Sequence, residues 1–415
     1  MASIFASIRR IVTGSKVSRA YGRSIDTNFS IFQEGDRVVI HGKNPILSKP
    51  LQRGKKITTP RGHIDHDDII GRSTRDFVRP HKGPHYRISY PTLEEYVTLT
   101  PRLVTPVYAA DANLIVSLLD IHTPVASPEG HQDETLEILE AGTGHGSLTL
   151  HIARAINAAN SSPPPIPKAS QRQILDGRTA ENRRNHDDPI QREWDEWRAR
   201  RGAVIHTVDI NEKYSAHAEM IVRGFRRGLY AGNVDFYVSS VENWIQEQIR
   251  RRSKGLFIKK SVKPFLSYAI LDMPSAHLRI PHVASVLKPD GILAVFMPNI
   301  TQIGECVNLI REKNLPFVMD RAVELGTGIS SGRLWDIRIA QTRSRGKLTT
   351  GVNEEAADGA AEETPEETSD MSAAEKASDS AGDKSNTESV LVCRPKVGER
   401  IVGGGFVGIW RRMKH

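Results

Sequence analysis

From residue 136 onward, short apolar runs alternate with stretches whose apolar positions recur every three to four residues. The runs Leu136–Leu139, Ala203–Asp209, Val234–Val238, Leu266–Asp272 and Gly291–Met297 predict buried strands. The periodic stretches between them (Leu148–Ile156, Lys213–Gly228, Val241–Arg252, Leu278–Leu287 and Ile303–Lys313) predict amphipathic helices. Such alternation implies a parallel sheet with helices on both faces. Phe317–Gly326, Arg333–Gln341 and Gly405–Arg411 add strand-like runs. Upstream, Ala112–Leu119 predicts a helix with Asp111 as its N-cap, and Thr92–Leu99 one with a Thr92/Glu95 capping box.

Residues 28–100 carry short strand-like runs, Arg37–Ile40, Lys56–Thr58 and Asp76–Val78, between Gly, Pro, Asn and Asp turns, and predict a small β-rich module. Residues 158–202 interrupt the alternation with a proline tract and a charged segment around Trp194 and Trp197, as expected of a surface insertion containing a short helix. Residues 343–390 are rich in Glu, Ala, Ser and Thr and predict disorder, because that composition cannot offset its ordering entropy.

Charge sharpens this picture. The net charge of +8 hides an acidic segment, 354–388, of net −10, which leaves about +18 on the remainder. A basic body favours a polyanionic partner. The clusters Arg250–Arg252 with Lys254, Lys259, Lys260 and Lys263, and Arg223 with Arg226 and Arg227, are candidate RNA contacts or merely solvated faces. Residues 1–25 combine Arg9, Arg10, Lys16, Arg19 and Arg23 with five serines and no acid, the pattern of a mitochondrial transit segment. A basic arm touching RNA would look similar. Two cysteines exclude a disulfide framework and a Cys-rich zinc site. His63, His66, His81 and His85 lack zinc spacing with a cysteine and are expected in solvated loops, so no metal is expected. No apolar run approaches the length of a membrane span, and no membrane role is expected.

The candidate chemistry lies at strand C-termini, where open α/β sheets bind ligands. Leu136–Ala141 runs into Gly142-Thr143-Gly144-His145-Gly146, and Ser147 stands as a plausible N-cap of the next helix. The glycines permit a sharp turn and a close approach to a ligand. The pattern Glu140-x-Gly142-x-Gly144-x-Gly146 resembles motif I of S-adenosylmethionine-dependent methyltransferases, so Glu140, Gly142, Thr143, Gly144, Gly146 and Ser147 are expected around that cofactor. Asp209 ends the second strand, where a carboxylate can accept ribose hydroxyls or else cap the following helix. Ser240 lies where an adenine ring would rest, and Tyr108 is an aromatic neighbour of cofactor or base, or a core tyrosine. Asp272 ends the fourth strand.

With these residues in view, the chain is similar to the tRNA (adenine-N1) methyltransferases that modify adenosine 58 of the T-loop. The resemblance rests on Pro91–Tyr96, Thr105-Pro106-Val107-Tyr108 with Asp111, Glu140–Thr149, Leu271–Pro274 and Met297–Gln302. It implies a Rossmann-like methyltransferase fold, α/β, with a mostly parallel seven-stranded sheet, an antiparallel last strand and a small N-terminal β-rich domain. The expected layout is 1–25 targeting, 28–100 β-rich domain and 104–415 methyltransferase domain, with insertions at 158–202 and 343–390. The resemblance further implies S-adenosylmethionine as cofactor, tRNA as partner, and a homotetramer or a hetero-oligomer with a related non-catalytic subunit; the transit-like residues 1–25 point to the mitochondrial matrix. Asp272 is the expected catalytic carboxylate, accepting from the exocyclic amine of adenine and stabilising charge as N1 takes the methyl. The chain departs from the family at Ser275-Ala276-His277, at Phe296 and at Gly403–Gly405. Two other function classes are a non-catalytic RNA-binding subunit of the same fold and a methyltransferase acting on mitochondrial rRNA, mRNA or protein.

Overall fold

The structure, a computed structural model, describes residues 24–123, 134–175, 188–253, 262–326, 335–341, 389–395 and 404–414. The targeting segment up to residue 23 and the acidic segment 342–388 lie outside the described residues.

Six short strands open the chain: β1 (Val39–His41), β2 (Ile46–Leu47), β3 (Lys56–Thr59), β4 (Gly62–Asp65), β5 (Phe77–Val78) and β6 (Tyr86–Ser89). They form an antiparallel sheet in the order β2-β1-β6-β5 and a β3–β4 hairpin, closed over Phe32, Val38, Ile40, Leu51, Ile64, Ile69 and Ile88. Helix α1 (Leu93–Leu99) starts with the expected capping box, Thr92 Oγ1 accepting from the Glu95 amide at 3.1 Å and Glu95 accepting from the Thr92 amide at 2.9 Å. Its apolar face, Leu93, Tyr96 and Val97, joins the larger core, so α1 belongs with the second layer of structure and not with the β-module.

That larger body contains α2 (Ala109–Leu119), β7 (Leu136–Ala141), α3 (Ser147–Ala155), β8 (Gln173–Ile174), α4 (Pro189–Arg198), β9 (Ala203–Asp209), α5 (Glu212–Gly224), β10 (Val234–Val238), α6 (Val241–Ser253), β11 (Leu266–Leu271), α7 (Ile280–Val286), β12 (Leu287–Met297), α8 (Ile300–Glu312) and β13 (Phe317–Leu325). Hairpin β14 (Trp335–Gln341) and β15 (Ser389–Pro395) forms a unit of its own, and β16 (Gly405–Arg412) returns to the body. The main sheet runs β13-β16-β12-β11-β7-β9-β10-β8. The strands from β12 to β8 are parallel, and β16 lies antiparallel between β12 and β13. Two apolar cores cover its faces, one including Ile138, Leu150, Ile205 and Ile221, the other including Leu139, Trp244, Leu271 and Leu293. This is the expected methyltransferase architecture with one strand more than expected.

The extra strand, β8, comes from residues 158–202, expected as a surface insertion containing a short helix: the helix is there as α4, but the segment also joins the sheet. Gln173 and Ile174 pair with Tyr237 and Val238, extending the sheet. Trp194 and Trp197 of α4 are buried. Arg198 and Arg201 meet buried Asp235 at 2.7 and 2.9 Å and hold its carboxyl far below the usual carboxylate range. Charge density in the sequence had hidden this packing, because the arginines are spent inside the molecule. Nor are all four loop histidines solvated: His66 is buried, its Nδ1 accepting from the Gln52 amide at 2.8 Å. Among the described residues no helix is long and apolar enough to cross a membrane.

Candidate active site

The order of the sheet reverses between β7 and β11, since successive crossovers lead one way to β9 and β10 and the other way to β12. Open α/β sheets bind ligands outside the strand C-termini at such a point. A cavity of about 430 Å³ lies there, within the size range of small-molecule sites.

Its floor is the glycine turn. Gly142 donates to Val208 O at 2.9 Å, and the Asp272 amide donates to Ala141 O at 2.8 Å, so the ends of β9, β7 and β11 are laced together. A Cβ on Gly142 would stand 1.8 Å from the Asp272 carbonyl oxygen, and its φ is +94°, so only glycine fits. Gly146, at φ 84°, is the N-cap of α3, which displaces Ser147 from that role. Ser147 is the first helical residue, and its hydroxyl donates to Val107 O at 2.5 Å, pinning the Val104–Val107 wall of the cavity.

Asp209 spans two turns. One carboxylate oxygen accepts from the Gly144 amide at 3.1 Å and the other from the Asn211 amide at 2.8 Å. Asn211, not Asp209, caps α5, with its Oδ1 accepting from the Lys213 and Tyr214 amides. Asp209 therefore faces the cavity with a free lone pair on each oxygen.

Asp272 lies opposite, also on the cavity wall. The following turn is capped by Ser275, so Asp272 is not a helix cap. Among the described residues no donor serves its carboxylate. Burial, and then the charge of Asp209, push it up to about 7.

Gly142, Thr143, Gly144, Ser147, Asp209 and Asp272 thus come together around one cavity, and the other expected residues do not. Glu140 lies beneath the turn, fully buried, accepting from Thr149 Oγ1 at 2.7 Å, and burial pushes it up to about 8. Thr143 and Thr207 share a hydrogen bond at 2.7 Å in the same buried layer. Ser240 turns away and accepts from the Asn243 amide at 3.2 Å at the start of α6, and its neighbour Ser239 takes the wall position. Tyr108 is off the wall; it is the N-cap of α2 and lies under the Arg102 guanidinium. Asp111, expected as that cap, is buried inside α2's first turn.

Sequence reasoning missed Ile210, Asn211, Tyr214 and His145 on the wall. Asn211 was legible as an N-cap just after a strand-ending acid. His145 is buried with Thr100 Oγ1 3.3 Å from its Nε2, and burial with His217 and Arg102 nearby pushes it down to about 4, so it is neutral.

The expected basic clusters are largely consumed internally. Arg250 and Arg251 pair with Glu247 at 2.6 and 2.7 Å, and Arg252 stacks on Phe265 and pairs with Glu137. Arg227 grips Asp36 of the β-module with two 2.8 Å bonds, and Arg226 lies against Phe29. Lys254, Lys259 and Lys260 lie outside the described residues.

Residues 31–74 match the family model described as TrmI-like N-terminal. Over 285 residues, covering 69% of this chain and 81% of the relative, the sequence is 25% identical to a tRNA (adenine(58)-N(1))-methyltransferase, TrmI, from Thermus thermophilus, in each of two strains. The solved SAM-dependent O-methyltransferase from Thermotoga maritima superposes with a TM-score of 0.52 at 15% identity, covering 93% of this chain and 96% of that one. With a TrmI-like module at the N-terminus and a relative matched across most of its length, the chain is similar to the tRNA (adenine-58-N1) methyltransferases.

Proposed function

We propose that the protein is an S-adenosylmethionine-dependent tRNA methyltransferase forming 1-methyladenosine at position 58 of the T-loop, in the mitochondrial matrix. The observation that carries the chemistry is Asp272: a half-buried carboxylate without a donor among the described residues, on the wall of the same cavity as Asp209.

The cavity's chemistry fits the cofactor. Gly142 and Gly144 bring bare backbone to the cavity wall, and Asp209 offers lone pairs suited to ribose hydroxyls. Ser239, Ile210 and Val241 offer a mixed polar and apolar wall for a flat ring. S-adenosylmethionine, when bound, supplies the electrophilic methyl. Asp272 takes no proton from N1, whose lone pair is already free. As a carboxylate it accepts from the exocyclic amine and meets positive charge as that charge grows on the purine. Held by the β11–β7 backbone bond, it needs little reorganisation to do so. The intact glycine turn and both strand-end acids disfavour the reading as a non-catalytic subunit. Assembly as a homotetramer, or with a related non-catalytic subunit, is part of the same proposal and rests on the family resemblance.

Matrix location rests on the acid-free, Arg-rich residues 1–25. Mapping 1-methyladenosine across mitochondrial and cytosolic RNA, with and without the protein, tests both halves. The expected result is loss at position 58 of mitochondrial tRNAs alone. Loss confined to cytosolic tRNA would overturn the location, and an unchanged map would overturn the activity.

A further inference from the structure

A second cavity, of about 470 Å³, lies along α5 beyond the first. Three parts of the chain wall it: Arg37 from the β-module, Lys168 and Ser170 from the 158–202 insertion, and Glu219, Arg223 and Gly224 from α5. Charge is unbalanced here. Glu219 is saturated, accepting from Ser170 Oγ at 2.5 Å, the Gln171 amide at 2.7 Å and Arg223 at 3.0 Å, with Arg172 at 3.4 Å. Arg37 has no carboxylate partner among the described residues. It donates to Ser48 O at 3.3 Å, and its buried Nε is unpartnered. Gly224 lets Arg37 and Tyr96 pack directly on the end of α5, since a Cβ there would come 3.4 Å from Arg37 Nε and 2.6 Å from the Tyr96 hydroxyl. Lys168 is exposed and likewise meets no carboxylate among the described residues.

The site is built and not merely basic. Arg223 donates to the Pro167 and Ala169 carbonyls, on either side of Lys168, which fixes where that side chain leaves the loop. Ile166 fills the space over Gly228, where a Cβ would come within 2.2 Å of its Cδ1. The insertion is therefore held down onto α5 with one lysine left pointing free.

We propose that this cleft binds a backbone phosphate of the RNA substrate, away from the methylated nucleotide. An unpaired guanidinium and an unpaired ammonium across an open cleft suit a phosphodiester, which accepts charge-assisted hydrogen bonds from both. Tyr214 lines the first cavity and Arg223 the second, and nine residues of helix separate them by roughly 14 Å. The phosphate held here therefore belongs to a different part of the RNA from the base in the first cavity. The insertion, which reads from sequence as an interruption, supplies half of the contact.

This inference rests on the reading of the substrate as tRNA, and the test keeps the two apart. Full-length tRNA binding is measured by fluorescence anisotropy across a salt series for the wild type, Lys168→Glu, Arg37→Gln and the exchange Arg37→Lys, with S-adenosylmethionine affinity alongside. Lys168 is exposed, so its variant keeps the fold. Lys168→Glu and Arg37→Gln are expected to weaken binding and lower the log–log salt slope by about 1 each, with Arg37→Lys near wild type and cofactor affinity unchanged. A wild type that binds tRNA with a slope that Lys168→Glu leaves unaltered overturns the cleft alone. A slope change accompanied by loss of cofactor binding also overturns it, since packing of the insertion would then be the cause. A wild type that neither binds nor methylates tRNA overturns the functional reading itself.

Discussion

The strand-end cavity and the seam between the β-module and the turn after α5 use the same kinds of charged residue to opposite ends. At the seam, Arg227 meets Asp36 through two 2.8 Å bonds, and Tyr90 adds a third donor to the same carboxylate at 2.5 Å. At the cavity, Asp209 is only partly satisfied, and Asp272 has no donor among the described residues. Saturated charge joins two bodies, whereas unsaturated charge waits for a ligand. The arginines divide the same way: those that looked most like RNA contacts in sequence are mostly paired, whereas Arg37 and Lys168 meet no carboxylate among the described residues.

The largest effect is expected at the seam. Arg227→Ala leaves Asp36, 2% exposed, as an uncompensated buried charge, and should cost about 3–5 kcal/mol of stability. Denaturant unfolding checks it, and a loss below about 1 kcal/mol would mean that the seam is not saturated in the sense described. At the cavity, Asp272→Asn should lower single-turnover methyl transfer by roughly 10²–10³ while leaving cofactor affinity near normal, as for one lost transition-state partner. The active form is the carboxylate, so kcat/KM should rise as pH climbs through about 7, the level to which burial and Asp209 push Asp272. Because burial pushes nearby Glu140 up to about 8 and it feels the charge of Asp272, the apparent value belongs to the pair. A flat profile in the wild type, or a normal rate in Asp272→Asn, would remove this role. The smallest effect belongs to Asp209→Ala, which should weaken S-adenosylmethionine binding by about 1–3 kcal/mol, read by calorimetry, with the transfer step itself little changed. An unaltered affinity would assign Asp209 to holding Gly144 and Asn211 only.

Much of this was determined by local sequence. Short apolar runs between period-3.6 stretches placed every parallel strand but β8, and the glycines of the turn announced a close approach that Gly142 makes against the Asp272 carbonyl. Asp209 and Asp272 were legible because a buried strand that ends in an acid delivers that acid to the sheet's C-terminal edge. What local pattern could not decide was pairing. Ser240 and Ser239 differ by one residue, and only the turn into α6 determines which one faces the cavity. Ser147 looked like a cap, but the left-handed Gly146 took that place and left its hydroxyl for Val107. Edge strand β8 is two residues long, too short to show a period, and exists because β10 offers it a partner. Above all, a cationic side chain reads the same in sequence whether it is spent or free. Only the fold brings Asp36, Glu219, Asp235 and Glu247 to the arginines that they neutralise, because those contacts join segments far apart in the chain or depend on which helix face is turned inward.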